Sequence, residues 1–386
     1  MLQIKRKVEA KLDRTRTKYF LQKNIISLHE LYGDSFNKLI SFPPETVATP
    51  EAVNLPFNHL CEELKSDKYT VPKIYTAKLE GVLYSPKYNI LLTKSRKIIL
   101  ESIHPLNRKL RDFDLKSDFR ILHKDLCQLK VKKISGYCSI FRSQRNSFAH
   151  AMKDNIPRTF LLNQAEYSNL DKIKLLYSDE ITELEAFFLP NLIPSNVVLN
   201  SVSSEYLYDI ENLIFPSFFH PAHACYFPIP YLNKLKAEMM PKRPRRKNKR
   251  IYISRIKCKS ERTKRHILNE SELMEEIGEL GFERYILEDM SLKSQAELFY
   301  DAETIIGADG AGLFWTSFAE KAKVLVLFNR YLVPAFYYTI AKNLDHEYRQ
   351  LCCSNINKNK NHQNRNFQVD IAKVLELLHS FSGDYK

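Results

Sequence analysis

The run Thr304-Ile305-Ile306-Gly307-Ala308-Asp309-Gly310-Ala311-Gly312-Leu313 reads as a strand passing through a glycine turn into a helix. The chain of 386 residues holds nine glycines, and Gly307, Gly310 and Gly312 fall within six positions of one another. An apolar, β-branched segment enters the run, and a helix-like stretch from Leu313 to Glu320 leaves it. Glycine so sparingly used belongs where the backbone needs positive φ or lies close to a ligand. At the C-terminal end of a parallel strand, such a turn aims the first amides of the following helix at that ligand. The run is thus the first sign of a nucleotide-handling site.

Working outward, the flanks alternate strand and helix. Ile251–Ser254 is a strand. A helix starts at Asn269, with Glu272 completing a capping box, and stops at Gly281. Phe282–Leu287 is a strand, and Ser291 caps a helix running to about Asp301. After the glycine turn come a strand at Lys323–Phe328, a helix from Pro334, a strand at His346–Cys352 and a last helix at Val369–Phe381. This alternation predicts an α/β fold, with the C-terminal half a doubly wound parallel sheet.

The N-terminal half carries short strands at Gly81–Tyr84, Asn89–Leu92 and Lys97–Leu100, with a hairpin turn at Ser85-Pro86-Lys87-Tyr88. Further strands are expected at Ile134–Phe141, Lys174–Tyr177 and Ile214–Phe215. Residues 1–70 read as mixed helix and loop, broken by Pro43-Pro44 and Pro50. The basic run 237–250, which includes Lys242-Arg243-Pro244-Arg245-Arg246-Lys247, reads as a solvated interdomain linker in preference to a nucleic-acid patch. The expected divisions are an extension at 1–70, a domain at 71–236, this linker, and a domain at 251–386.

The net charge of +14 calls for an anionic partner: nucleic acid, an anionic membrane surface or phosphorylated substrates. Seven scattered cysteines without a C-x-x-C argue against a disulfide framework or a zinc site and predict a reducing compartment. Cys352-Cys353 read as strand residues. The basic stretch Met1–Arg16 has no apolar core, so no signal peptide is expected, and no apolar run approaches the ~20 residues of a membrane span. These features predict a cytoplasmic protein, with the basic surface offering peripheral attachment at the inner face of a membrane. Aromatics are not interleaved with the basic run, which argues against nucleic acid as partner.

Ends of strands in one parallel sheet converge, so Arg255 after the first strand, Arg265 before the first helix and the turn at 307–312 meet at one crevice. Two arginines and a row of helix amides suit a diphosphate and stabilise its charge without a metal. Two other patterns are set aside. Asp112-Phe113-Asp114 is an Asp-x-Asp in a charged stretch with no clear strand before it, read as a solvated loop. His220 and His223 lack a third ligand and read as structural.

The segment Ile251 to Phe328 resembles the catalytic domain of glycosyltransferase family 61, which includes bacterial capsular-polysaccharide transferases, plant xylan transferases and eukaryotic O-linked N-acetylglucosaminyl transferases. Its pattern is met by Ser254-Arg255, Arg265 with Asn269-Glu270, Gly281-Phe282, Gln295 with Phe299, and the turn Gly307 to Leu313. Asn146, His150, Asp154 and Pro157-Arg158 are similar to a second stretch of the family. The resemblance implies a GT-B-like architecture of two Rossmann-type domains facing a cleft. It implies inverting transfer from a nucleotide-sugar donor to a surface polysaccharide or glycolipid acceptor. Donor-binding residues would be Arg255, Arg265, Asn269, Gln295, Asp309, Gly310, Ala311 and Gly312, and no metal or other cofactor is expected. Asp154 is the first choice as base and His150 the second, four residues apart on one helical face. Asp309 stands where the family has His, and Trp315 where it has Asn. The alternatives are an inactive relative that binds glycan or nucleotide, and a basic nucleic-acid-binding protein.

Overall fold

The structure is a computed structural model. It describes residues 23–33, 38–48, 68–71, 73–105, 118–143, 148–219, 226–258, 265–329, 336–353 and 366–381. The arm Met1–Arg16, Asp112, Asp114, Asn146, His220 and His223 lie outside the described residues. Two units divide the chain, one from 1–44 and 72–222, the other from 45–71 and 223–386. No helix among the described residues is long and apolar enough to cross a membrane.

The strands run in chain order: β1 (Ile25–Ile26), β2 (Lys38–Phe42), β3 (Glu45–Ala48), β4 (Lys68–Val71), β5 (Ile74–Ser85), β6 (Ile90–Leu92), β7 (Ile98–Ile99) and β8 (Lys130–Ile140). Then come β9 (Ile173–Tyr177), β10 (Val197–Ser201), β11 (Tyr206–Pro216), β12 (Lys249–Ser254), β13 (Phe282–Ile286), β14 (Ala302–Ala308), β15 (Lys323–Asn329) and β16 (Glu347–Cys353).

The first unit is built on a nine-stranded sheet of order β1-β7-β6-β5-β11-β8-β9-β10, with β2 on β5. Strands β10, β9, β8 and β11 are parallel, and β5 then joins β11 antiparallel. The expected Rossmann-type sheet is therefore a mixed sheet here. The hairpin joining β5 to β6, whose strands pair at Ser85 and Ile90, continues it antiparallel. Segment 1–70, expected as helix and loop, contributes strands β1 and β2 to this sheet.

The second unit holds a five-stranded, wholly parallel sheet of order β13-β12-β14-β15-β16. In β15, Val324 to Asn329 are all buried, as a strand covered on both faces requires. On one face Tyr252, Ile306, Leu325 and Leu351 pack against Leu273 and Ile277 of helix Glu270–Glu279 and Val374 and Leu378 of helix Ile371–His379. On the other, Gly307 and Ile253 lie under Leu313, which opens the 3-10 helix Ala311–Phe318. Helix Leu292–Asp301, capped by Ser291 as expected, packs on that same short helix. The sheet is thus wound on both faces, and its chain order reverses between β12 and β14. Sheets of this order bind ligands at that reversal, beyond the carboxyl ends of the strands.

Two local expectations differ. Asn269 stands at the start of its helix but makes no side-chain cap. Its amide instead donates to the carbonyl of Val369 and accepts from the Val369 amide, both at 2.9 Å. The basic run is also far from fully solvated. Arg243 grips Asp301 with two hydrogen bonds of 2.9 and 2.6 Å, and Arg245 donates to the carbonyls of Tyr300, Ala302 and Glu320.

Candidate functional site

Strand β12 ends at Ser254, and the hydroxyl of Ser254 donates to Glu270 Oε1 at 2.6 Å. The Ser254 hydroxyl oxygen in turn accepts the amide of Ile256 at 3.2 Å, so the turn carrying Arg255 is tied through Ser254 to the first helix. Asn269, next to Glu270, ties the same helix start to Val369. The pair Asn269-Glu270 thereby sets where Arg255 and Arg265 stand; Glu270 was noted in the family pattern but not among the expected donor-binding residues.

The Arg255 guanidinium lies against the backbone of Gly310: a β-carbon there would stand 1.7 Å from Arg255 Nη1. Gly312 is restricted in the same way by Leu287, 2.6 Å from such a carbon. Gly310 has an extended φ of 179°, and positive-φ glycines among the described residues are Gly33, Gly81, Gly136 and Gly281. Of the two causes expected for glycine here, positive φ is absent, and close approach is seen as the Arg255 and Leu287 side chains pressing on the turn.

Arg265, itself at φ +44°, ion-pairs through Nη1 with Asp309 Oδ2. The other carboxylate oxygen, Oδ1, accepts the Tyr337 hydroxyl at 2.6 Å, and the Gly310 amide donates to that hydroxyl at 2.9 Å. Burial, and then the charge of Asp309, push the Tyr337 phenol well above its ordinary value, so it stays protonated and donates. Burial, the largest single effect, lowers the Arg265 pKa, but the charge and hydrogen bond of Asp309 together with Tyr337 raise it, and the net shift is upward. For Arg255, burial and then the like charge of Arg265 lower it. Both arginines keep their charge at neutral pH. Arg255, Arg265 and Asp309 leave this corner with one net positive charge. Arg265 Nε is buried and meets no hydrogen-bond partner among the described residues.

Gln295 is buried and turned inward, its amide donating to the carbonyls of Leu287 and Met290 at 2.9 and 3.0 Å. It fixes the turn that presses Leu287 on Gly312. Ala311 and Gly312 open the short helix, where the first amides lack carbonyl partners within the helix. Trp315 is fully buried, packed on Phe318 with ring centroids 5.0 Å apart, so this departure from the family pattern is a core residue.

The first unit gathers a second set of groups by itself. Asp154 lies on a single π-type turn, Ala151–Asn155, a geometry frequent at functional sites. Its Oδ2 meets both His150 Nδ1 and His104 Nε2, the latter at 2.8 Å. The imidazoles of His104 and His150 are edge to face, with centroids 5.1 Å apart. Side-chain exposure is 0% for His104 and Asp154 and 14% for His150. Arg158 of the same stretch is buried and structural. It donates to the carbonyls of Phe141, Arg142 and Pro216, stitching the ends of β8 and β11 together. His104 and Tyr337 were missed by sequence reasoning. His104 lies just beyond β7, a strand end that could have drawn notice, whereas Tyr337 sits in the helix Phe336–Asn343, well past β15, and carried no such signal.

No curated protein matches the chain. Residues 148–326, a little under half of the chain, match the family model of Glycosyltransferase 61, and the match supports a glycosyltransferase.

Proposed function

We propose that the protein transfers a sugar from a nucleotide-sugar donor to a glycan or glycolipid acceptor, with the second unit holding the donor and the first supplying the base. A GT-B arrangement, inversion at the transferred carbon and independence from metal are parts of this reading. The observation that carries it is the pair Arg255 and Arg265 at the reversal of the parallel sheet. There a buried Arg265 Nε is left without a partner, at a cost of about 1–3 kcal/mol that a ligand oxygen would recover. A nucleoside diphosphate offers such oxygens, and the net positive corner stabilises its charge as it departs.

The base is His150. Asp154 is fully buried and engaged by two imidazoles, which suits a carboxylate that orients and counterbalances, as in other base–carboxylate pairs. With Nδ1 held on Asp154, His150 takes the acceptor proton at Nε2 as the acceptor oxygen attacks the sugar carbon and the diphosphate leaves. The test is release of nucleoside diphosphate from the nucleotide sugar that raises the melting temperature most. In His150→Ala, turnover per folded molecule should fall about 10²–10⁴-fold, with Asp154→Asn falling less and donor affinity kept in both. Near-normal corrected turnover in His150→Ala removes it as the base. Turnover lost in EDTA and restored by manganese overturns metal independence.

A further inference from the structure

The cluster in the first unit holds one residue that base catalysis does not need. A base–carboxylate pair is complete with His150 and Asp154, yet a second imidazole, fully buried, is brought to the same carboxylate oxygen. We propose that His104, His150 and Asp154 form a zinc-type divalent metal site, and that its occupation switches the base off. The inference rests on the reading of His150 as base.

The donor set is the first argument. Two imidazole nitrogens and one carboxylate oxygen are the ligand types that suit zinc and its first-row neighbours, and three protein ligands leave a position open. Placement is the second. The three ligand atoms lie within 4.8 Å of one another, and among the described residues this is the one group of its kind. His104 and His150 both aim at Asp154 Oδ2. Zinc bonds of ~2.0–2.2 Å set tetrahedral ligand atoms about 3.4 Å apart, so Asp154 Oδ2 must draw back from both imidazole nitrogens, from 2.8 Å in the case of His104, to admit the ion. The third argument is support. The π-type turn fixes Asp154, and Phe218 lies edge-on to His104 with centroids 5.4 Å apart, so the imidazole has little freedom to leave. His150, the part-exposed member, gives the ion its way in.

The consequence for the base follows from proton bookkeeping. A neutral imidazole carries one proton. When the ion takes the lone pair of His150 Nδ1, that proton resides on Nε2. The same exchange occurs in His104, whose proton moves off Nε2, so the histidines release no net proton. Nε2 of His150 then has no lone pair to accept the acceptor hydroxyl's proton. The site is therefore one in which metal binding and turnover exclude each other.

The experiment titrates the full-length, chelator-treated protein with cobalt, read by its visible absorption, and then with zinc, read by bound metal after dialysis. One equivalent is expected to bind in the wild type. Affinity should fall at least ~100-fold in Asp154→Asn and in His104→Gln, which keeps the volume of the imidazole. Circular dichroism and a cooperative melting transition that matches the wild type in amplitude report that each variant is folded. Turnover should fall in proportion to zinc occupancy and return with EDTA. The absence of a stoichiometric equivalent, or an equivalent that survives in Asp154→Asn, His104→Gln and His150→Ala alike, overturns the site. Full binding with unchanged turnover overturns the switch. A protein that binds zinc here but turns over no nucleotide sugar speaks against the transferase reading alone. One that turns over through His150 but binds no zinc speaks against this inference alone.

Discussion

Arg255 presses its guanidinium on Gly310, so the smallest substitution at that glycine reports whether the contact serves binding. A β-carbon 1.7 Å from Nη1 forces the guanidinium away, while the fold, held at Gly310 by Tyr337, has little else to lose. Gly310→Ala is expected to weaken nucleoside-diphosphate binding by about 1.5–3 kcal/mol, roughly 10- to 150-fold, the worth of a hydrogen bond to a charged group. Calorimetry decides it, and unchanged affinity in a folded variant removes Arg255 from the donor site. The same residues show what was legible at this scale. Glycine scarcity marked the right turn, and of the two causes expected there positive φ is absent, because composition shows where glycine stands and not what leans on it. Asn269 and Gln295 were singled out for donor contact. Their amides are spent on the backbone of Val369, Leu287 and Met290, partners up to 100 positions away that no local spacing reveals.

Elements were more legible than side-chain partners. Every strand of the parallel sheet was expected within a few residues, since five apolar runs separated by helical patterns leave few alternatives. The mixed sheet of the first unit was harder. The hairpin of β5 and β6 and strand β7 were expected, but the long-range pairing of β5 with β11 and strand β10 were not, and β1 and β2 come from a stretch without periodic signal. One element junction carries a testable titration. His346, just before β16, accepts the Ala322 amide at Nδ1 and donates from Nε2 to the Thr316 carbonyl, both at 3.1 Å. Burial chiefly pushes its pKa down to about 4, from 6.5. Above 6.5 it is neutral folded or unfolded and costs nothing. As pH falls below 6.5 the unfolded chain takes a proton that the fold refuses. Stability therefore drops until pH reaches about 4, by up to about 3 kcal/mol. His346→Gln should flatten this acid limb, seen in denaturation midpoints between pH 7 and 4.5. Parallel limbs for the two proteins would contradict the assignment.

At the scale of the whole molecule the chain separates into two units, each with its own sheet, core and cluster of charged groups. The net charge of +14 fits an anionic partner, but part of the basic run is used internally: Arg243 and Arg245 hold Asp301 and three carbonyls. Attraction to anionic lipid is then expected to rest on Lys242, Arg246 and Lys247, which are exposed, at up to about 1 kcal/mol each and weakening with salt. Co-sedimentation with anionic vesicles should fall when these three are changed to alanine. Equal sedimentation with neutral and anionic vesicles at low salt argues against any such role. The proposed transfer depends above all on donor binding at the reversal of the parallel sheet. It is tested most directly by calorimetric titration of wild type and Arg265→Ala with nucleoside diphosphates. The account predicts micromolar binding with modest salt dependence, weakened roughly 10- to 150-fold in the variant. Binding of no nucleotide, equal affinity in the two proteins, or a steep salt slope with nucleic acid in its place would contradict it.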